Sequence, residues 1–317
     1  MENEVLSTTK YVVDNSAHVK INMDKLEELS QTVKSTGTYV LPEDIYSKIL
    51  VLDIDRRTNY LLLTASLCFC FWGDPKWKIE YNGQVLDGWY GLCAAFIKTV
   101  EENRPILDFK YLAAISEADF ADVLKGNVEI PLFKERLAIV REIGKVMVEK
   151  HKCDFLRLIR EAKSDWDLVH MIVENFPSFS DKSTYMGKTI YFHKRAQVLA
   201  SEIYSYLPKE EHNIPDLSNL TACAEYKMPQ VLRAFNILEY DSELSHLVDN
   251  QIEIEKDSPY EVEIRANTVW AVEKLRAALI SRCPDIDAIT VDNIIWLLGQ
   301  DKSKLNKPYH HVRSTAY

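Results

Sequence analysis

Lys194 and Arg195 stand side by side where a segment of helical apolar spacing begins, and Glu225 follows 31 residues after Lys194. Two cations in a first helical turn run against the helix dipole, which favours anions there. Solvated charges beside Gly187 and Lys188 would explain them plainly. A phosphate or carboxylate site would explain them chemically, because free amides and two cations converge at such a helix end. Glu225 directly precedes Tyr226 and the Lys227-Met228-Pro229 start of another helical stretch. A carboxylate held against an aromatic ring can be desolvated and tuned as a base or an electrostatic stabiliser. The chain has 48 acidic residues, so Glu225 stands out only through its neighbours.

A second feature is the run Leu67-Cys68-Phe69-Cys70-Phe71-Trp72-Gly73-Asp74-Pro75-Lys76-Trp77, followed by Gly88-Trp89-Tyr90. Flat side chains in this density suit a flat heterocycle, which presents a π-face for stacking. The same residues can equally fill a core. His193 adjoins Lys194, and His310 and His311 lie near other candidates, but no His-Glu-x-x-His zinc pattern occurs. The six cysteines form no Cys-x-x-Cys pair, and there is no Gly-x-Ser-x-Gly nucleophile elbow. Glu261, Glu263 and Arg265 alternate with Val262 and Ile264; Glu261 and Arg265 have the i, i+4 spacing of a helix-surface pair. Glu135 and Arg136 read as a surface pair or a buried brace.

These groups need elements to position them. Phe192, Ala196, Leu199, Ile203 and Tyr206 share one helical face, as do Thr268, Val272, Leu275 and Leu279. Leu132, Ile139, Val140, Ile143, Val146 and Met147 predict another helix, with Pro131 near its first turn. Ser116-Glu117-Ala118-Asp119 has the form of a helix cap, and length favours a helix over 57–72. Asn82-Gly83 between Trp77–Tyr81 and Gln84–Leu86 predicts one small hairpin. The basic, aromatic segment Lys307-Pro308-Tyr309-His310-His311-Val312-Arg313 either docks onto the body or stays a tail.

A length of 317 residues with 47% hydrophobic residues allows a sizeable core, in one compact domain (1–317) or two intimate helical lobes (roughly 1–130 and 131–317) with the site between them. The net charge of −10 disfavours a polymeric nucleic-acid partner, which wants a basic face, but not a small substrate bearing one phosphate. The acidic, polar start is no signal peptide, and no apolar run spans a bilayer. These features point to a soluble cytoplasmic protein with reduced thiols and no membrane partner. The lack of a coiled-coil seam favours a monomer.

Taken in order, Phe69-Cys70-Phe71-Trp72, Gly91-Leu92-Cys93-Ala94-Ala95, Pro131-Leu132 with Glu135-Arg136, Phe176-Pro177-Ser178-Phe179, Lys194-Arg195-Ala196-Gln197, Tyr226-Lys227-Met228-Pro229-Gln230-Val231-Leu232, Glu261-Val262-Glu263-Ile264-Arg265 and Tyr309-His310-His311-Val312-Arg313 resemble the queuosine salvage family of queuosine 5′-phosphate N-glycosylase/hydrolases. The resemblance runs from about residue 10 onward. It implies a mainly α fold like that of helix-hairpin-helix DNA glycosylases, with extra N-terminal helices and the small β-hairpin. It implies hydrolysis of queuosine 5′-monophosphate to queuine and ribose 5-phosphate, with no metal or organic cofactor. A non-catalytic binder of queuine or its nucleotide, or a DNA or RNA base glycosylase, is the competing reading.

The related DNA glycosylases pair a helix-borne lysine with a later carboxylate, and this layout implies Lys194 and Glu225 as catalytic groups, with Asp216 in reserve. The family more often carries Asp where Glu225 stands, and Asn where Cys68 stands. Cleavage of the glycosidic bond builds positive charge on the ribose, which a carboxylate stabilises. Phe69, Phe71, Trp72 and Trp89 are the implied clamp on the base. Lys194, Arg195, Arg265 and Arg313 are candidates for the phosphate. His193, Tyr226 and Glu261 complete the expected substrate-binding set.

Overall fold

A computed structural model describes residues 3–33, 42–300 and 305–317. The first part comprises α1 (Glu4–Asn15), β1 (Val19–Ile21), α2 (Met23–Thr32), α3 (Glu43–Leu50), α4 (Ile54–Ser66), β2 (Lys78–Tyr81), β3 (Gln84–Asp87), α5 (Gly88–Glu101), α6 (Phe109–Ala114) and α7 (Glu117–Val123). Then come α8 (Phe133–His151), α9 (Phe155–Glu161), α10 (Asp165–Asn175), β4 (Lys182–Tyr185), β5 (Lys188–Tyr191) and α11 (Lys194–Tyr206). The chain continues with α12 (Lys227–Ala234), β6 (Leu238–Tyr240), α13 (Ser242–Asp249), α14 (Pro259–Leu279) and α15 (Ala288–Leu298). The fold is thus mainly α. No helix among the described residues is long and apolar enough to cross a membrane.

Two helices organise the packing. α4 carries α3, α5, α8, α9 and α11 around it, and α14 carries α1, α2, α12 and α15. α14 is buried on nearly every side, including Glu261, Glu263, Arg265 and Asn267. Buried charge must find partners. Glu263 does so by accepting from the amides of Ala17, His18 and Val19 at 3.1, 2.7 and 3.1 Å and from the Tyr185 hydroxyl at 2.8 Å. The expected face of α11 is buried from Phe192 to Tyr206, as is that of α14 from Thr268 to Leu279. Ser116 caps α7 by accepting from the Asp119 amide at 3.0 Å.

Three expectations about elements change. The predicted helix over 57–72 ends at Ser66, and Cys68–Trp72 leaves it as a strap, with Cys70 at φ +37°. Buried cations satisfy the strap's carbonyls, so no helical ladder is needed there. The helix after Pro131 begins at Phe133, because Leu132 adopts a left-handed conformation at φ +55°. The Asn82-Gly83 hairpin (β2–β3) is joined by a second one, β4–β5, and by the long-range pair β1–β6. The second turn lacks an Asn-Gly signature but places Met186 and Gly187 at φ +47° and +77°, as a primed hairpin turn requires.

α6 and α8 approach so closely at Gly144 that a Cβ there would lie 2.2 Å from the Ala113 amide nitrogen. Backbone cannot yield as a side chain does, so Gly144→Ala is expected to cost roughly 2–3 kcal/mol, the upper part of the overpacking range. Urea unfolding of the variant, with an unchanged m-value, checks this.

Candidate active site

The strap is moored by its main chain. Five successive carbonyls accept from three buried cations. Arg195 donates to Ser66 O. Arg136 donates to Leu67, Phe69 and Cys70 O at 2.6, 2.5 and 3.0 Å. Lys194 Nζ donates to Cys68 O at 2.9 Å and lies 3.2 Å from Cys68 Sγ. The first of these carbonyls belongs to the C-terminal end of α4, where the helix dipole favours positive charge. Burial lowers both guanidinium groups to about 10, so both remain charged at neutral pH.

Glu225 rides on a loop pinned at three successive points by side chains of three helices. Gln197 of α11 accepts from the Thr221 amide at 2.8 Å. Asp292 of α15 accepts from the Cys223 amide at 2.9 Å, and Arg265 Nε of α14 donates to Ala224 O at 3.2 Å. Arg265 also makes a two-pronged pair with Asp181, at 2.9 and 2.7 Å, with both side chains buried. Asp181 in turn accepts from the Lys194 amide at 3.0 Å. One ion pair therefore ties the loop before Glu225 to the first residue of α11.

Lys194 and Glu225 both line a cavity of about 740 Å³. Phe69, Phe71, Trp72, Trp89, Tyr90, Tyr226, Trp296 and Tyr309 supply its aromatic wall, and Glu202 and Asp292 add two further carboxyls. Glu225 Oε1 is buried without a hydrogen-bond partner among the described residues. Burial raises the Glu225 pKa, against the opposing pull of Lys194 and of the Lys227 and Met228 amides. Burial would lower that of Lys194, yet Cys68 first, then Glu225 and Cys223, leave it raised, so the ammonium is kept. Burial pushes Glu202 and Asp292 up to about 8. The cavity thus holds a fixed cation beside a carboxylate with one unused oxygen, within aromatic walls.

A family model described as queuosine salvage protein matches residues 52–317. The chain belongs to the queuosine salvage protein family. A curated relative from Sphaerobacter thermophilus is 39% identical over 316 residues, covering 99% of this chain and 97% of the relative. A Bos taurus relative is 30% identical, with 98% and 97% covered, and one from Mus musculus is 32% identical, with 83% and 82% covered. All three are named queuosine 5′-phosphate N-glycosylase/hydrolase.

In this queuosine salvage protein several expected contacts lie elsewhere. Asp216 is exposed, accepts from Ser218 and is not part of the cavity wall that holds Lys194 and Glu225. Arg195 is spent on Ser66 and Ser178 carbonyls and on the rings of Phe69 and Phe179. Arg265 is committed to Asp181, and Arg313 sits on the surface against Glu253 and the Trp72 ring. None of the three arginines lines the cavity, so the phosphate candidates reduce to Lys194 among those expected. The amide of Lys194 is likewise taken by Asp181 rather than left for an anion.

His193 contacts Glu4 at 2.7 Å, away from the cavity. Glu261 is buried at the start of α14 and accepts from the Asp257 amide; it does not pair on the surface with Arg265. Phe69, Phe71, Trp72, Trp89 and Tyr226 do line the cavity, although Phe69 lies under Arg136 and Trp72 stacks on His311 at 4.3 Å. The segment from Tyr309 docks back: Trp72 Nε1 donates to Val312 O at 3.2 Å and the Cys70 amide to Tyr317 O at 2.9 Å. Sequence reasoning missed Glu202, Asp292, Lys76 and Lys227 on the cavity wall. Glu202 carried a usable signal, since it lies on the Lys194 face of α11 at i+8.

Asp181→Asn removes the charge that compensates buried Arg265. A loss of roughly 3–5 kcal/mol is expected for breaking such a pair, read as a lowered denaturation midpoint. The variant is expected to lose activity as well, because both catalytic candidates hang on this pair.

Proposed function

We propose that this protein hydrolyses the N-glycosidic bond of queuosine 5′-monophosphate, releasing queuine and ribose 5-phosphate for queuine salvage into tRNA. The observation that carries this reading is the Glu225 carboxyl, with its unpartnered buried oxygen, on the same aromatic cavity as Lys194. The names of the relatives supply the substrate. A volume of about 740 Å³ accommodates a modified nucleotide.

As the bond to the base lengthens, positive charge develops on the ribose. Ionised Glu225 stabilises that charge and orients the water that replaces the base. Lys194 acts through its charge: it holds Glu225 towards the ionised form and anchors the strap at Cys68. The aromatic wall holds the base, which as a 7-deazapurine has no basic N7 to protonate. Lys76 and Lys227 join Lys194 as the cations of the cavity wall and take the 5′-phosphate. The substrate is a small molecule, and the −10 net charge weighs against a polymer. The separation of 31 residues between Lys194 and Glu225 also supports kinship with helix-hairpin-helix DNA glycosylases. The chain would then act as one catalytic domain, or as two intimate lobes of roughly 1–130 and 131–317, in a cytoplasmic monomer.

Incubation with queuosine 5′-monophosphate is expected to release free queuine, seen by mass spectrometry. Binding without release would mean a binder instead. Glu225→Gln should retain less than about a tenth of wild-type turnover, a barrier increase above ~1.4 kcal/mol. Because burial raises the Glu225 pKa and the ionised form is the active one, activity should fall as pH drops through a value above the ordinary 4.5. The acid limb of the kcat/KM profile measures it. Borohydride should trap no covalent adduct at Lys194; a trapped adduct would replace the charge role by a Schiff base.

A further inference from the structure

We propose that Glu202 is the residue that recognises the cationic side arm of the queuine base, and so selects this base over an unmodified 7-deazaguanine. The inference rests on the proposed function and assigns one more wall of the same cavity.

Three carboxyls surround Lys194 within the cavity, and two already have work. Glu225 belongs to the sugar. Asp292 accepts from the Cys223 amide and so fixes the loop that carries Glu225. Glu202 is left: it lines the cavity, and its Oε2 is buried with no hydrogen-bond partner among the described residues. An orphaned carboxyl oxygen costs stability unless a ligand completes it.

Its position suits the arm. Lys194, Val198 and Glu202 follow at four-residue steps on one face of α11, and all three line the cavity. Glu202 is two turns, about 12 Å along the axis, beyond Lys194. The arm leaves the five-membered ring of the base away from the glycosidic bond and carries a secondary ammonium followed by a cyclopentene diol. Around Glu202 the wall is rich in hydroxyls: Ser201 and Ser205 on the same helix, with Tyr46 and Tyr206 beside them. Burial holds Glu202 at about 8 in the free protein, and an ammonium placed against it draws the carboxyl to its ionised form; with hydroxyls for the diol, the two make a complementary set. Lys194 does not repel the arm outright, because Glu225 offsets its charge.

The alternative is that Glu202 reads the guanine-like edge, which every 7-deazaguanine shares. Kinetics on two substrates separate the roles: queuosine 5′-monophosphate, and 7-deazaguanosine 5′-monophosphate, which lacks the arm. For Glu202→Gln we expect KM for the first to rise about tenfold or more, as for loss of a charge-assisted contact, with kcat within about twofold. Parameters for the second should stay within about twofold of wild type. Glu202→Asp should recover part of the discrimination between the two substrates, which a folding defect would not allow. Equal losses on both substrates would overturn the inference in favour of edge recognition or structural damage, and no change on either would overturn it too. If wild-type protein cleaves neither nucleotide, the proposed function fails first, and that result is distinct from the others.

Discussion

The Asp181–Arg265 ion pair is the constraint on which the site depends. Its two buried side chains sit between three parts of the chain: Asp181 just before β4, Lys194 at the head of α11, and the loop at Ala224. Burying two charges is expensive, and only near-complete hydrogen bonding recovers the cost. Here the remaining valences are used productively. The carboxylate takes the Lys194 amide and the guanidinium takes the Ala224 carbonyl, so the partners of the buried pair are the backbone neighbours of the two groups proposed to do chemistry. The Arg265 guanidinium also packs 3.8 Å from the Phe192 ring centroid and 4.4 Å from that of Tyr317, which makes the docked terminal segment part of the same support.

A second economy is visible in the strap. Leaving the α-helix at Ser66 takes the strap's carbonyls out of a helical ladder, with only Leu67 O, among the described residues, still accepting an amide, that of Phe69 at 2.9 Å, and burying the rest unpaired would be costly. Arg136, Arg195 and Lys194 meet this need, and the carbonyls in turn give the buried cations acceptors. This explains why so much positive charge near the site is unavailable to a phosphate. It also gives Lys194 two jobs at once: its ammonium holds the wall of the cavity and keeps a positive charge beside Glu225.

Much of the scaffold was legible in local patterns. The Asn82-Gly83 turn, the Ser116 cap and the apolar faces of α11 and α14 are short-range features whose physics is complete within a few residues. The presence of Lys194, Glu225 and the aromatic run on one cavity was anticipated through the family resemblance, and local spacing alone could not have brought them together. What was illegible depends on distant partners. Arg195 and Arg265 look like anion ligands in sequence, because the groups that consume them, the Ser66 carbonyl and Asp181, are 129 and 84 residues away. Asp292 was hidden among 48 acidic residues, since nothing nearby marks its carboxyl as buried, whereas Glu202 could have been found from its i+8 spacing to Lys194 on α11. The helix over 57–72 overran because the pull on the strap's carbonyls comes from α8 and α11.

The cations also touch the Cys68 sulfur and the Phe69 ring, but the five bonds of the mooring run to main-chain oxygens and do not depend on which side chains the strap bears. Cys68 or Phe71 can be exchanged without removing one of those five bonds, so the wall facing the ligand is open to variation while its path through space is kept. A pocket wall built this way can change the surface it offers while keeping its mooring bonds. Cys68 shows the division most clearly: its carbonyl holds the mount, while its sulfur, on the cavity wall, is the part that another side chain could replace.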